Sequence, residues 1–186
     1  MTTYIKTISL EDYLAEFEDS AKEAIANFSH VLENQATELI HTQSYIDEYS
    51  SEAKLKEIMA AGDLYHARSI EGNDQRIIYG MNAERPDLGK VKIEGYKRTG
   101  VFGYPQYSFC GWHTNNNNEG ERTYIVYNEE ENQGFFKYYD ADKDEIITKW
   151  EPKGVTTNII DISASKPCWH FAGSLGNRIS VGFRKI

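Results

Sequence analysis

The sequence predicts an all-β domain, a sandwich or barrel, that is preceded by helices. The hydrophobic pattern has a helical period up to about residue 61 and a period of two after Gly62. The later part divides into short, evenly spaced segments bounded by turn residues, with no helical segment between them. This pattern is typical of antiparallel sandwiches and barrels and excludes βαβ units. We therefore expect a helical segment, residues 1–64, that packs on a sheet domain, residues 65–186.

An apolar stripe predicts the first helix. The stripe consists of Leu10, Leu14, Phe17, Ala21, Ala24 and Phe28. Ser9 and Asp12 resemble a capping box, with Asp in place of Glu. The pattern continues through Ala36, Leu39 and Ile40. A second helix is predicted from about residue 51 to residue 61, with Gly62 as its stop. The stripe is either a coiled-coil seam or a face that packs on the sheet, and the small number of heptads favours packing.

Nine segments are predicted as strands. The first two are QRIIYGM (75–81) and KVKIEGYK (90–97). The other seven are YSFCGWHT (107–114), RTYIVYNE (122–129), GFFKYYD (134–140), EIITKW (145–150), TTNIIDIS (156–163), CWHFAG (168–173) and RISVGFRK (178–185).

The composition excludes several classes of protein. The 186 residues carry a formal net charge of -9, and an acidic surface repels phosphate backbones. No apolar run is long enough to span a membrane, and the N-terminal stretch MTTYIKTISLEDY lacks the apolar core of a signal peptide. Two cysteines are too few for a disulfide scaffold. We therefore expect a cytoplasmic protein that binds neither nucleic acid nor membranes.

Two histidines and an arginine occupy suggestive positions among the strands. His113 lies near the end of YSFCGWHT, and His170 lies in the second-last segment, CWHFAG. Arg178 begins the last strand, and Ser180 shares its face because strand side chains alternate. Two imidazoles can bind one metal ion, and an arginine can grip a carboxylate through two parallel hydrogen bonds. A single histidine is usually a structural residue, but the four residues together favour a site.

From about residue 65 to the end, the chain resembles the iron- and 2-oxoglutarate-dependent oxygenases. That family has a double-stranded β-helix, a jelly roll like that of cupins. Its motifs are His-x-Asp/Glu on the second core strand, a distal His on the seventh and Arg-x-Ser on the eighth. The resemblance implies that His113 and His170 bind Fe(II), with Asn115 at the carboxylate position. It also implies that Arg178 and Ser180 hold the far carboxylate of 2-oxoglutarate.

Two finer resemblances accompany this one. Residues 122–145, RTYIVYNEEENQGFFKYYDADKDE, resemble the prolyl-hydroxylase branch of the family. The chain is also similar to short proteins of this kind from phages of aquatic bacteria.

The sequence departs from the family at the carboxylate, because Asn115 stands where the motif has an acidic residue. Facial-triad iron sites use two histidines and one carboxylate, and a neutral amide oxygen binds Fe(II) less well. Four alternatives follow. Asn115 is a weak third ligand, or Glu119 or Glu121 enters from the loop, or water or a halide fills the position, or the site is dead.

Several neighbouring residues have predicted roles. Tyr124 and Tyr127 lie on opposite strand faces, so at most one of them faces the pocket. Arg184 shares the face of Arg178 but is expected in solvent. The tryptophans next to the histidines, at positions 112 and 169, should point away from the metal into another packing layer.

The cysteines and an acidic turn give two further predictions. Counting by two places Cys168 on the face of His170 and Cys110 on the face opposite His113, so no disulfide is expected. The segment DADKDEIITKWE has acidic residues at several calcium-loop positions, the last of them Glu151. Its sixth position is Glu145, where an EF-hand needs glycine, so a charged hairpin turn is favoured.

The predicted function is that of an iron(II)- and 2-oxoglutarate-dependent oxygenase of the hydroxylase type, acting on a small molecule or a peptide. One alternative is a catalytically inactive jelly roll that serves as a binding or structural protein, for instance as a virion component. Another is a cupin-like metal protein that does not use oxoglutarate. The N-terminal helices are either a dimerisation element or a brace for the sheet.

Overall fold

The computed structural model describes residues 7–26, 42–60, 79–80, 92–114, 119–163, 165 and 167–186. These residues form three helices, α1 (Leu10–Ala26), α2 (Gln43–Tyr49) and α3 (Glu52–Ala60). They also form eleven strands. The strands are β1 (Thr7–Ile8), β2 (Tyr79–Gly80), β3 (Lys92–Ile93), β4 (Tyr96–Tyr104), β5 (Ser108–His113), β6 (Gly120–Asn128), β7 (Gly134–Asp140), β8 (Glu145–Trp150), β9 (Gly154–Ile162), β10 (His170–Ser174) and β11 (Arg178–Lys185).

The strand order is that of a double-stranded β-helix. The larger sheet has the order β2-β4-β11-β6-β9, the second has the order β5-β10-β7-β8, and β1 pairs with β3 in a separate two-stranded sheet. The eight strands from β4 to β11 pair as nested antiparallel hairpins, the first with the last and so on inward. Two sheets with this nested pairing form a jelly roll. The predicted all-β, cupin-like core with N-terminal helices is therefore confirmed.

The first helix covers the outer face of the five-stranded sheet. Ser9 and Asp12 form the predicted capping box, because the Asp12 amide donates to Ser9 Oγ at 3.0 Å and the Ser9 hydroxyl donates to the Asp12 carboxylate at 2.8 Å. The apolar stripe of α1 packs against alternate residues of β6 and β11. For example, the ring of Tyr13 meets that of Phe183 edge-on, with centroids 5.5 Å apart. The predicted continuation of this stripe, residues 28–40, lies outside the described residues.

The shorter helices cover the outer face of the four-stranded sheet. Their buried side chains join an aromatic core in which Phe109, Phe135 and Phe171 stack on one another. Trp112 and Trp169 belong to the same core, so the prediction that they point away from the histidines is confirmed. Both sheets thus have apolar outer faces under helices, which leaves the opposite faces to line the interior between the sheets. Among the described residues, no helix is long and apolar enough to cross a bilayer.

One strand prediction was wrong, and part of another strand was not predicted. The segment KVKIEGYK is not one strand, because a turn at Glu94 and Gly95 separates β3 from β4 and Gly95 has a φ of 75°. That left-handed conformation suits glycine and ends the extended run. Strand β4 then continues to Tyr104, and its second half was not predicted. The charged hairpin was predicted correctly, since Asp140 pairs with Glu145 across the turn between β7 and β8.

Gly173 provides a test of the aromatic core. A Cβ atom at this position would overlap the ring of Phe135, which is packed between Phe171 and Trp150. We expect Gly173→Ala to lower the free energy of unfolding by about 1–3 kcal/mol, the usual cost of overfilling a packed core. Urea denaturation measures this loss. Gly176→Ala is the control, because the new methyl would meet only the flexible side chain of Gln133. Equal losses in the two variants would contradict the close packing of Gly173 against the ring of Phe135.

Candidate metal centre

The two predicted histidines lie side by side at one end of the interior. His113 ends β5, His170 begins β10, and the two residues are direct partners in the antiparallel ladder. Their ring centroids are 4.1 Å apart, with the planes inclined by 55°. The prediction that the rings converge from adjacent antiparallel strands is therefore confirmed.

A β-bulge in β5 sets the direction of His113. His113 pairs with His170 but Cys110 pairs with Ala172, so β5 has one residue more than β10 between these two points. The extra residue puts both Cys110 and His113 on the interior face, with the Cys110 sulfur 3.5 Å from Nδ1 of His113. The prediction that Cys110 faces away from His113 is therefore wrong, because counting by two fails across a bulge. Both Cys110 and Cys168 are free thiols.

Backbone carbonyl groups fix the orientation of both imidazoles. Nδ1 of His113 donates to the Gly111 carbonyl at 2.7 Å, and Nδ1 of His170 donates to the Cys168 carbonyl at 2.8 Å. A proton held on Nδ1 directs the lone pair of each neutral ring to Nε2. Metal-binding histidines in proteins are usually held in this way, so the pair has the donor chemistry of a metal site.

The environment keeps His170 neutral. Burial lowers the pKa of His170 well below its usual value, and the charges of His113 and Arg122 lower it further. The pKa of His113 is raised, because Cys110 and the Gly111 carbonyl outweigh the effect of burial. At neutral pH the two adjacent rings are therefore not both positively charged, and His170 is the neutral one, in the form that coordinates metals.

Other side chains complete the surroundings of the pair. The ring of Phe136 stacks on His170, with centroids 5.5 Å apart. Tyr124 contacts Phe136 from the opposite sheet, whereas Tyr127 belongs to the core under α1. Tyr124 is thus the tyrosine that faces the interior, which the sequence left open. Arg122 is buried on the same face of β6, two residues before Tyr124.

The described residues contain no complete three-ligand set for a metal ion. Within the ranges given above, no group of three or more His, Cys, Asp or Glu side chains is arranged to hold a metal ion. Asn115, the predicted third ligand, lies outside those ranges. Glu121 pairs with Lys185 at 3.5 Å, and Glu119 is exposed in the segment before β6. A third ligand could come from residues 115–118, from Glu119 or the Cys110 thiol after a rearrangement, from solvent or from a substrate.

Arg178 already holds a carboxylate, and that carboxylate belongs to the chain itself. Nε of Arg178 donates to one oxygen of Glu151 at 2.8 Å, and Nη2 donates to the other at 2.9 Å. The two side chains are 1% and 0% exposed. Asn128 and Asn158 also donate to the Glu151 oxygens, at 3.2 and 2.7 Å. Ser180, the other predicted oxoglutarate ligand, is buried on the same face of β11.

The electrostatics favour this pair in its charged form. Burial raises the pKa of the Glu151 carboxyl, but the charge and hydrogen bonds of Arg178, with those of the two asparagines, lower it overall. Conversely, Glu151 raises the pKa of Arg178 against the effect of burial. The guanidinium also lies over the ring of Tyr104, 4.7 Å from its centroid.

The residues present do not fit 2-oxoglutarate at Arg178. The far carboxylate of that molecule would need the same two nitrogen atoms that Glu151 uses. The path is also filled, because Tyr104, Cys110, Phe136 and Ala172 form a buried cluster that connects the guanidinium to the histidines. Arg184, the rival arginine, is partly exposed and pairs with Arg122 in the ladder between β11 and β6.

Sequence reasoning missed Glu151 as a partner of Arg178. It considered this residue only as the last position of a calcium loop. The two residues are 27 positions apart, and no local pattern connects the end of β8 with the start of β11. The one sequence feature that points to such a partner is the position of Arg178 on a buried strand face, because a buried arginine requires a counter-charge.

The ion pair predicts a specific dependence of stability on pH. We expect Glu151→Gln to lower the free energy of unfolding at pH 7 by about 3–5 kcal/mol, because it leaves Arg178 buried without a counter-charge. The folded-state pKa of Glu151 is lowered, so its contribution is present above ~pH 4.3 and is lost as the pH falls through the folded-state value. The difference between wild type and variant should therefore shrink in acid.

Urea denaturation between pH 7 and pH 3 measures that difference. Glu145→Gln, on the exposed face of β8, is the control and should change stability little at either pH. A difference between wild type and Glu151→Gln that stays constant down to pH 3 would show that the carboxylate is not ionised in the folded protein.

The chain matches no protein-family model and no curated protein. Among solved structures it is similar to a Pseudomonas putida prolyl-4-hydroxylase, with 14% identity, a TM-score of 0.38 and coverage of 49% of each chain. It is similar to an oxalate oxidase, with 12% identity and a TM-score of 0.40 over 67% of this chain and 58% of the other. It is also similar to an RmlC-like cupin from Desulfovibrio desulfuricans, with 21% identity and a TM-score of 0.34 over 50% and 74%. The chain thus spans about half the length of the hydroxylase, and the likeness concerns the fold, which the strand order establishes independently as a cupin-like jelly roll.

Proposed function

We propose that this protein is a metal-dependent jelly-roll enzyme of the oxidoreductase type, whose metal ion binds Nε2 of His113 and of His170. The observation that carries the proposal is the pair of buried, adjacent imidazoles, each held by a backbone carbonyl at Nδ1. The resemblance of the sequence to iron-dependent oxygenases makes Fe(II) the proposed ion. When bound, such an ion supplies redox and Lewis-acid chemistry that amino-acid side chains lack.

The side chains of the protein would orient the reaction and exclude water. The Gly111 and Cys168 carbonyls hold the two imidazoles in place. Phe136 packs on His170 and limits access of water from within the barrel. Arg122 brings a buried positive charge close enough to lower the pKa of His170, which favours an anionic group on the ligand that approaches the ion.

The finer prediction, an oxygenase that consumes 2-oxoglutarate, requires a receptor for the far carboxylate. Arg178 does not supply one while Glu151 holds it. The identity of the substrate, as a small molecule or a peptide, stays a prediction. So do assembly through the N-terminal helices, a place in a virus particle and a cytoplasmic location.

Removal of either imidazole tests the proposed metal centre. We expect His113→Ala and His170→Ala each to weaken the binding of Fe(II), or of Zn(II) as a more tightly bound substitute, by about 100-fold or more. Anaerobic calorimetric titration measures the affinity. His66→Ala is the matched control, since it removes an imidazole elsewhere in the sequence. A wild-type protein that binds neither ion would refute the proposal and favour a jelly roll that serves in binding or structure.

Replacement of the predicted third ligand tests whether residue 115 takes part. A carboxylate close to a divalent ion adds Coulomb attraction of roughly 4 kcal/mol per unit charge at 4 Å for an effective dielectric constant of 20, before desolvation. We therefore expect Asn115→Asp to tighten Fe(II) binding at least about tenfold, since ~1.4 kcal/mol suffices for that.

Three variants distinguish the alternatives for this third position in the same titration. If Glu119 or Glu121 is the true ligand, Asn115→Asp changes little and the corresponding Glu→Gln variant weakens binding. The ion pair of Glu121 with Lys185 makes Glu121→Gln the expected silent variant. A silent Asn115→Asp variant, with wild-type affinity for Fe(II), would remove residue 115 from the centre.

A further inference from the structure

We propose that Glu151 determines ligand specificity by acting as a built-in carboxylate: it occupies the receptor position on Arg178 and excludes free carboxylates, 2-oxoglutarate among them, from this end of the barrel. The exclusion of 2-oxoglutarate matters only if the proposed metal centre exists. The exclusion of free carboxylates from Arg178 depends on the ion pair alone.

The contacts of Glu151 are those of a bound ligand. Two parallel hydrogen bonds join it to Arg178, and two asparagine side chains donate to the same oxygens. The backbone of β7 also approaches closely, since a Cβ atom at Gly134 would overlap both Glu151 and Asn128. Arg178, the two asparagines and the backbone at Gly134 therefore surround the carboxylate closely. The carboxylate that fills this site comes from the segment after β8.

A free carboxylate cannot compete well with one that is attached to the chain. Glu151 is held next to Arg178 by the backbone, because its amide donates to Gly134 at 2.9 Å and its carbonyl accepts from Asn132 at 3.1 Å. Its effective concentration therefore far exceeds that of a metabolite in solution.

A second carboxylate has no equivalent position on the same arginine. Within the part of the chain that the structure describes, only Nη1 of Arg178 lacks a hydrogen bond among its guanidinium nitrogens. One nitrogen cannot form the bidentate grip, and an anion placed there would face the charge of Glu151. Arg178 thus retains the geometry of a carboxylate receptor but is closed to external ligands.

This arrangement makes a receptor that can be opened by one substitution. Glu151→Ala removes one methylene and the carboxylate, a fragment with the shape and charge of acetate. The cavity would keep Arg178, Asn128 and Asn158 as donors. The variant should therefore bind acetate, whereas the wild type should not.

Thermal unfolding of the metal-free protein tests the inference. We expect 100 mM sodium acetate to raise the unfolding midpoint of Glu151→Ala by about 3–5 °C above the effect of equal sodium chloride. Acetamide, which has the same shape without the charge, should have no such effect, and the wild type should respond equally to acetate and chloride. No specific response of the variant to acetate, or stabilisation of the wild type by acetate, would overturn the proposal.

Direct titration of 2-oxoglutarate provides the second measurement. The wild type, with and without Zn(II), should show no Arg178-dependent binding, so that Arg178→Met has the same weak or absent affinity. Binding to the wild type that a folded Arg178→Met variant lacks, with folding checked by circular dichroism, would overturn the proposal, and this comparison does not need Glu151→Ala to fold. If Glu151→Ala does not fold alone, refolding in acetate against acetamide gives the same contrast.

These outcomes are separable from those for the metal centre. A protein that binds no metal, but whose Glu151→Ala variant responds to acetate, refutes the proposed function and supports the built-in carboxylate. Metal binding, together with uptake of oxoglutarate by the wild type through Arg178, supports the proposed function and refutes the built-in carboxylate.

Discussion

The buried ion pair between Arg178 and Glu151 organises one end of the barrel. The Arg178 side chain is 1% exposed, and a guanidinium buried to this degree without a counter-charge would be costly. Asn128 from β6 and Asn158 from β9 donate to the carboxylate, and Arg178 itself belongs to β11. Three neighbouring strands of one sheet are thereby tied to the segment that leaves the other sheet after β8. The pair is therefore a junction between the two sheets as well as an electrostatic contact.

The two ends of the interior have different chemistry because different residues line them. At one end His113 and His170 are adjacent and oriented by carbonyl groups, which suits a metal ion. At the other end positive and negative charges neutralise each other out of contact with water. The cluster around Tyr104 and Cys110 connects the ends by packed side chains. A group bound beside the histidines would therefore be separated from the charges of Arg178 and Glu151 by packed side chains.

The sequence predicted the helix of residues 10–26 and most strands from local periodicity. The convergence of the two histidines depends on pairing between distant strands, and it was predicted from the order of the motifs in the family that the sequence resembles. Other features that depend on such pairing were not predictable. The direction of Cys110 depends on an extra residue relative to β10, and the occupant of Arg178 depends on how the chain leaves β8. The choice between Tyr124 and Tyr127 required knowing which face α1 covers. All three features depend on how distant parts of the chain pair and pack, and the periodicity of the sequence does not give that arrangement.

The bulge in β5 has a consequence for how this chain is aligned with other jelly rolls. Because the strand changes phase between Cys110 and His113, residues before the bulge are offset by one position relative to residues after it. A gap-free alignment with a regular strand can match either Phe109 and Cys110 or Trp112 and His113, but not both sets. Comparison of sequences across this strand therefore needs a one-residue gap between Cys110 and His113. Without this gap, an alignment would misplace either the histidine or the residues that precede the bulge.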